Sequence, residues 1–254
     1  MRRYQAPRGI LAAILARLVA AALPLALLAA CTRSAEPRAA ATAAPAAGAD
    51  RAASAVTPAA GASDAATDAA DDRPVILFVG TSLTAGLGLD PSEAYPALIQ
   101  QKVDAAGLRY RVVNAGVSGE TSAGAKSRLG WLLRQPVAVL VLETGANDGL
   151  RGQDPDATRA NIQAILDAAR RHEPKPRLAV VAMEALPNYG EDYRRRFRAI
   201  YPELAKANGA TLVPFLLDGV AGDPRLNQPD GIHPTAEGER RVAQNVWKAL
   251  RPIL

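Results

Sequence analysis

The stretch Val75-Ile76-Leu77-Phe78-Val79-Gly80-Thr81-Ser82-Leu83-Thr84-Ala85-Gly86 passes from an unbroken apolar run into small and hydroxylated residues. Five apolar residues in a row, without alternation, suit a strand covered on both faces. The Gly-Thr-Ser that follows reads as a turn from strand into helix. Working outward, similar β-rich runs return at Tyr110 to Val113, Val137 to Leu142, Leu178 to Met183 and Thr211 to Val213. Longer amphipathic or mixed stretches separate them: Ser92 to Ala106, Ser122 to Arg134, Asp156 to His172, Glu191 to Asn208 and, after the last run, Thr235 to Leu250. These read as helices. The alternation implies a parallel sheet with helices on each side, and about 180 residues fit one doubly wound domain over residues 73–254. Ligands of such sheets bind beyond the carboxyl ends of the strands, so chemically unusual residues should gather there.

Ser82 stands on the first strand-to-helix turn, where its hydroxyl can project into a cleft and its backbone N–H can face an anion. The order Gly80-Thr81-Ser82-Leu83-Thr84 is not the G-x-S-x-G elbow of another hydrolase fold, because Thr84 occupies the last glycine position. After the second run comes Asn114-Ala115-Gly116-Val117-Ser118-Gly119-Glu120-Thr121, and after the third Thr144-Gly145-Ala146-Asn147-Asp148-Gly149. Gly119 offers a bare backbone N–H and Asn147 an uncharged amide. With the Ser82 N–H they form the donor set a developing oxyanion requires. Taken singly, each also fits a turn glycine or a cap, and Asp148 fits a brace between loops. Before the last helix stands Asp230-Gly231-Ile232-His233-Pro234. A neutral imidazole there can take a proton from Ser82, and a carboxylate three residues earlier can fold back on the ring; alone, the same pattern also fits a surface turn. The other histidine, His172, follows Arg170 and Arg171 at a helix end, where a solvated role facing the helix dipole is expected.

The segments VGTSLTAG (79–86), NAGVSGETS (114–122), TGANDGLRG (144–152) and DGIHP (230–234) occur in order at the ends of successive units. Together they resemble the four motif blocks of the SGNH (GDSL-type) hydrolase family. From about Val75 to Leu254 the chain is similar to the bacterial periplasmic thioesterase, arylesterase and lysophospholipase subgroup. Pro187-Asn188-Tyr189-Gly190 and Ala199-Ile200-Tyr201-Pro202 extend that likeness. The resemblance implies a three-layer α/β/α sandwich of flavodoxin type around a five-stranded parallel sheet. It also implies Ser82 as nucleophile, His233 as base, Asp230 as its partner, and Ser82, Gly119 and Asn147 as the oxyanion hole. One position departs from the family: the first block usually reads Gly-Asp-Ser-Leu, and here Thr81 replaces the Asp. That residue neighbours the nucleophile without belonging to the triad, so the site is expected to survive with altered loop order, oxyanion geometry or pH dependence.

The expected reaction is hydrolysis of an aryl, acyl or lysophospholipid ester, or of an acyl thioester, through an acyl-enzyme. Leu83, Leu150, Leu186 and Pro187 near the motif loops are candidates for an apolar acyl pocket and equally for core packing. Two alternatives stand beside this one. A carbohydrate O-acetyl esterase fits the wider family, although aromatic residues for sugar stacking make up only 4% of the chain. A non-catalytic lipoprotein binding lipid or cell wall, with the motifs as relics, is the other. No cofactor and no metal are expected, since there is no P-loop and no cluster of His and Cys ligands.

Ahead of the domain, Arg2, Arg3 and Arg8 precede an apolar run that ends in Leu28-Ala29-Ala30-Cys31, and the part after Arg17 is short for a membrane span. Residues 1–31 therefore read as a signal peptide whose end resembles the lipobox of bacterial lipoproteins, with Cys31, the single cysteine, as the lipidated residue. A plain signal peptide or an uncleaved anchor is the alternative. Residues 32–72 are rich in Ala, Pro, Gly, Ser, Thr and Asp and nearly free of large apolar residues, so they are expected to form a flexible tether. The net charge of +5 sits largely in the leader, which carries four Arg and no acid. Its removal leaves no strong case for a nucleic-acid partner. The expected location is the periplasm, on a membrane through the lipid; Thr32 after Cys31 leans the resemblance toward the outer membrane.

Overall fold

The computed structural model describes residues 71–254. The leader at 1–31, its lipidation site Cys31 and the tether as far as residue 70 lie outside the described residues. From Asp71 onward, five strands pair in parallel: β1 (Val75–Gly80), β2 (Arg111–Gly116), β3 (Val139–Leu142), β4 (Arg177–Val181) and β5 (Thr211–Val213). Their order across the sheet is β2-β1-β3-β4-β5. The order reverses beside β1, so β1 and its two neighbours open a crevice at their carboxyl ends, where such sheets hold ligands.

Seven α-helices connect and cover the strands: α1 (Ser82–Ala85), α2 (Tyr95–Ala105), α3 (Ser122–Leu132), α4 (Ala146–Leu150), α5 (Pro155–Arg170), α6 (Gly190–Asn208) and α7 (Ala236–Leu250). Helix α2 packs on α7, while α5 packs on both α3 and α6, giving the two outer layers of the expected sandwich. Every residue of β1 and β3 is buried, as their unbroken apolar runs require, whereas the edge strand β2 is half-exposed. In the layer of α2, Phe78 meets Tyr95 edge to face; in the opposite layer, within α6, Phe197 meets Tyr201 likewise. Among the described residues no helix is long and apolar enough to cross a membrane.

Differences from the expected elements have local causes. Strand β2 continues to Gly116 because its pairing with β1 continues, Phe78 to Asn114 and Gly80 to Gly116. The helix expected from Ser92 starts at Tyr95 instead: Asp90 and Glu93 close a capping box around a single 3-10 turn, Pro91–Glu93, and Ala94 is extended. Glu239 of α7 accepts a hydrogen bond from the Tyr95 N–H at 2.8 Å, so one helix supplies the cap of the other. Burial pushes the Glu239 carboxyl up to about 8.

Candidate active site

Helix α1 leaves the carboxyl end of β1 with almost no spacing. Thr81 is its N-cap, its hydroxyl accepting from the Leu83 N–H, and Ser82 is its first residue. A Cβ at Gly80 would collide with the side chain of Thr84, so the turn can be this tight only with glycine there. Gly86, in the left-handed region at φ 73°, ends the helix after one turn.

His233 Nε2 lies 2.9 Å from Ser82 Oγ, across 151 residues of chain. His233 Nδ1 is 2.6 Å from Asp230 Oδ2. A carboxylate can only accept, so Nδ1 carries the ring proton and Nε2 is left to accept from the serine hydroxyl. The other carboxylate oxygen accepts from the N–H groups of Ile232 and His233 at 2.9 and 3.0 Å. These bonds and the imidazole hold the Asp230 carboxyl down at about 2, so it is ionised at neutral pH.

The loop carrying His233 is held by a residue that the sequence does not single out. The Gln228 N–H donates to the His233 carbonyl at 2.7 Å, and its side-chain amide donates to the carbonyls of Leu87 and Pro234 at 2.7 and 2.9 Å. Leu87 directly follows the α1 cap, so Gln228 ties the His233 loop to the Ser82 turn. A lone glutamine in a loop carries no periodic or motif signal.

Asn147 lies on α4, a five-residue helix where the sequence predicts only a loop. It commits one amide proton to the Glu120 carbonyl at 2.9 Å, which joins the third motif block to the second. Gly119, at φ 77°, precedes that acceptor, and its carbonyl accepts from Arg151 at 3.1 Å. The Glu120 side chain is fixed in turn by Arg128 at 2.6 and 2.7 Å. Asp148 is the expected brace: fully buried, it accepts from the N–H and hydroxyl of Ser122 at 2.8 and 2.5 Å. His172 follows α5 and leads toward the amino end of β4, away from the triad; its Nε2 is buried without a partner rather than solvated as expected.

Behind Ser82 lies a second group the sequence does not announce. Glu143 follows β3 and is fully buried. Its carboxyl accepts from the Thr81 N–H at 2.7 Å, from the Thr81 hydroxyl at 2.9 Å and from the Thr84 hydroxyl at 2.9 Å. Tyr95 OH lies 2.8 Å from Thr84 Oγ1, extending the chain of hydroxyls. Burial pushes the Glu143 carboxyl up and these donors oppose the shift. The residue that departs from the family motif thus contributes two of the three donors to a buried acid. A Thr81→Asp variant would place a second carboxylate against it, and two touching carboxylates cannot both ionise. The expected result is a second carboxyl ionisation in the pH profile of kcat, from the shared proton of the pair, displaced above that of Glu143 in the native protein. A pH–rate series on both proteins checks it.

Beside Leu83, the residue after Ser82, lies a cavity of about 250 Å³. Leu83, Leu150, Leu186 and Pro187 all line it, with Met183, Phe215 and the Gly231-Ile232 pair between Asp230 and His233. A larger surface cleft of about 660 Å³, near Leu108 and Trp247, contains neither the nucleophile nor the base. Among the described residues no group of three His, Cys, Asp or Glu side chains is placed to hold a metal.

Comparison with known proteins gives a consistent result. The model of the GDSL-like Lipase/Acylhydrolase family matches residues 78–241. The chain is 41% identical to Esterase TesA of Pseudomonas aeruginosa over 180 residues, which span 70% of this chain and 89% of that protein. It is 39% identical to Thioesterase 1/protease 1/lysophospholipase L1 of Escherichia coli K12 over 181 residues, 70% and 84% of the two chains. Among solved structures, the crystal structure of TesA superposes with a TM-score of 0.67 at 41% identity, covering 71% of this chain and 99% of that one.

Proposed function

The chain belongs to the GDSL-like lipase/acylhydrolase family and is an ester hydrolase; from that premise we propose that Ser82, His233 and Asp230 are its catalytic triad. The observation that carries the assignment is the unbroken line Asp230–His233–Ser82, with separations of 2.6 and 2.9 Å and one consistent set of proton positions. Ser82 Oγ attacks the ester carbonyl carbon while His233 Nε2 takes the hydroxyl proton. The carbonyl oxygen becomes an oxyanion, held by the N–H groups of Ser82 and Gly119 and the free amide proton of Asn147. Collapse of the intermediate breaks the bond to the leaving group, which departs as an alcohol, phenol or thiol with the proton from His233. Water then attacks the acyl-enzyme by the same route and releases the acid. A fluorophosphonate probe should form one adduct, on Ser82, read by peptide mass spectrometry; a folded protein that fails to label contradicts the reading.

The acyl chain enters the apolar cavity beside Leu83, which favours aryl esters, lysophospholipids and acyl thioesters over acetylated sugars. A volume of about 250 Å³ accommodates an acyl chain of medium length. Leu186 is 49% exposed at its edge, so shortening it disturbs little of the core. Leu186→Ala is expected to lower kcat/KM for a medium-chain aryl ester about three- to tenfold, because the bound chain then covers less apolar surface, with little effect on the acetate. A chain-length series of aryl esters reads this directly.

The proposal extends to location. Leu28-Ala29-Ala30-Cys31 supports lipidation of Cys31 after removal of the leader, with the stretch after it as the tether of a periplasmic, outer-membrane lipoprotein. Mass spectrometry of the membrane-fraction protein tests this: an acylated amino-terminal Cys31 is expected, and an internal, unmodified Cys31 would refute it.

A further inference from the structure

Six of the eight large apolar side chains exposed among the described residues surround the mouth of the site: Leu87, Val117, Leu150, Leu186, Tyr189 and Ile232, each 38 to 49% exposed. Their backbone hydrogen bonds and neighbours place them. The Leu87 N–H donates to the Ser82 carbonyl and the Val117 N–H to the Gly80 carbonyl, at 3.1 and 2.9 Å. Ile232 directly precedes His233, and Leu150 ends the short helix that bears Asn147. Tyr189 OH donates to the Leu150 carbonyl at 3.2 Å, and Leu186 opens the loop between them. Leu150, Leu186 and Ile232 also line the acyl cavity, so the exposed apolar side chains continue outward from its opening, the kind of rim that suits an apolar partner.

Resting on the ester-hydrolase reading above, we propose that this ring docks on a lipid bilayer, so that the enzyme takes lipid esters from the membrane rather than from solution. Two observations favour that occupant. The charges at the mouth are mixed: the Asp230 carboxylate is exposed beside His233, and exposed Arg151 lies against the Gly119 carbonyl. Such a rim suits a zwitterionic headgroup layer better than an acidic polymer. The second observation is the reach of the preceding chain. It joins the domain at Asp71, ahead of the amino end of β1 and so at the pole opposite the mouth. Residues 32–70 can extend to about 130 Å, against a domain roughly 40 Å across. With Cys31 anchored as proposed above, a chain of that contour length is long enough for the far pole to reach the same membrane.

The test uses the full chain and phosphatidylcholine vesicles. In a Val117→Trp variant, tryptophan emission should shift to the blue when vesicles are added, while the native protein, with Trp131 and Trp247 away from the mouth, should show no such shift. A Leu87→Ser/Val117→Ser double variant should hydrolyse lysophosphatidylcholine held in the vesicles about tenfold more slowly, the fold-change expected for withdrawing two partly exposed apolar side chains from an interface. Its turnover of soluble p-nitrophenyl acetate should stay within about twofold. An absent vesicle-induced shift, or an undiminished vesicle rate, overturns the docking surface. A Val117→Trp emission already shifted in buffer, and varying with protein concentration, would put a second copy of the chain on this face and overturn it too. If the double variant loses both activities through misfolding, the emission result decides alone. A native protein that does not turn over the soluble ester refutes the catalytic reading, and vesicle-induced emission then reads the surface independently.

Discussion

Ser82→Ala is expected to lower kcat for a soluble aryl ester about 10⁵- to 10⁶-fold, to a residue of activity supplied by binding and the oxyanion donors alone. The size follows from the geometry. Ser82 Oγ is the hydroxyl within hydrogen-bond reach of His233 Nε2, so no other side chain inherits the proton transfer. The substitution removes one oxygen and leaves α1 intact, because the cap of that helix is the Thr81 hydroxyl. The Ser82 backbone N–H also remains, so substrate binding should change far less than turnover. Steady-state kinetics on both proteins, with denaturation curves to show equal folding, check the split between kcat and KM.

His233→Ala should cost about as much as Ser82→Ala, and the double variant little more than either alone. A serine hydroxyl without its base is a poor nucleophile at neutral pH, and an imidazole without its serine has nothing to activate. Independent contributions would multiply; members of one proton-transfer unit do not. A double-mutant cycle in kcat tests this, and a double variant slower by the product of the two single effects would show that the residues act separately. In the proposed triad Asp230 supports the pair through the ring: its ionised carboxyl would fix the proton on Nδ1 and stabilise the imidazolium as it forms.

Much of this arrangement is legible before any coordinates. The buried strands announce themselves because residues covered on two faces leave no room for polar alternation, as Val75 to Val79 shows. Ser82, Gly119, Asn147, Asp230 and His233 are legible through the resemblance that four ordered segments carry together, since each residue alone also fits a turn or a cap. What stays hidden is held by partners distant in sequence. Glu143 reads as an ordinary polar residue after Val139-Leu140-Val141-Leu142; only the fold brings Thr81 and Thr84 onto its carboxyl from about 60 positions away. Gln228 reaches Leu87 across 141 residues. Helix α4 is too short to show a period, and it is fixed by Asp148, which braces Ser122 on a neighbouring unit.

The distance in sequence between Ser82 and His233 also governs when the enzyme becomes dangerous. A polypeptide that emerges amino end first, from a ribosome or a translocation channel, delivers its serine long before the imidazole that arms it. Until the final loop has been threaded through and pinned by Gln228, the growing chain is a latent hydrolase.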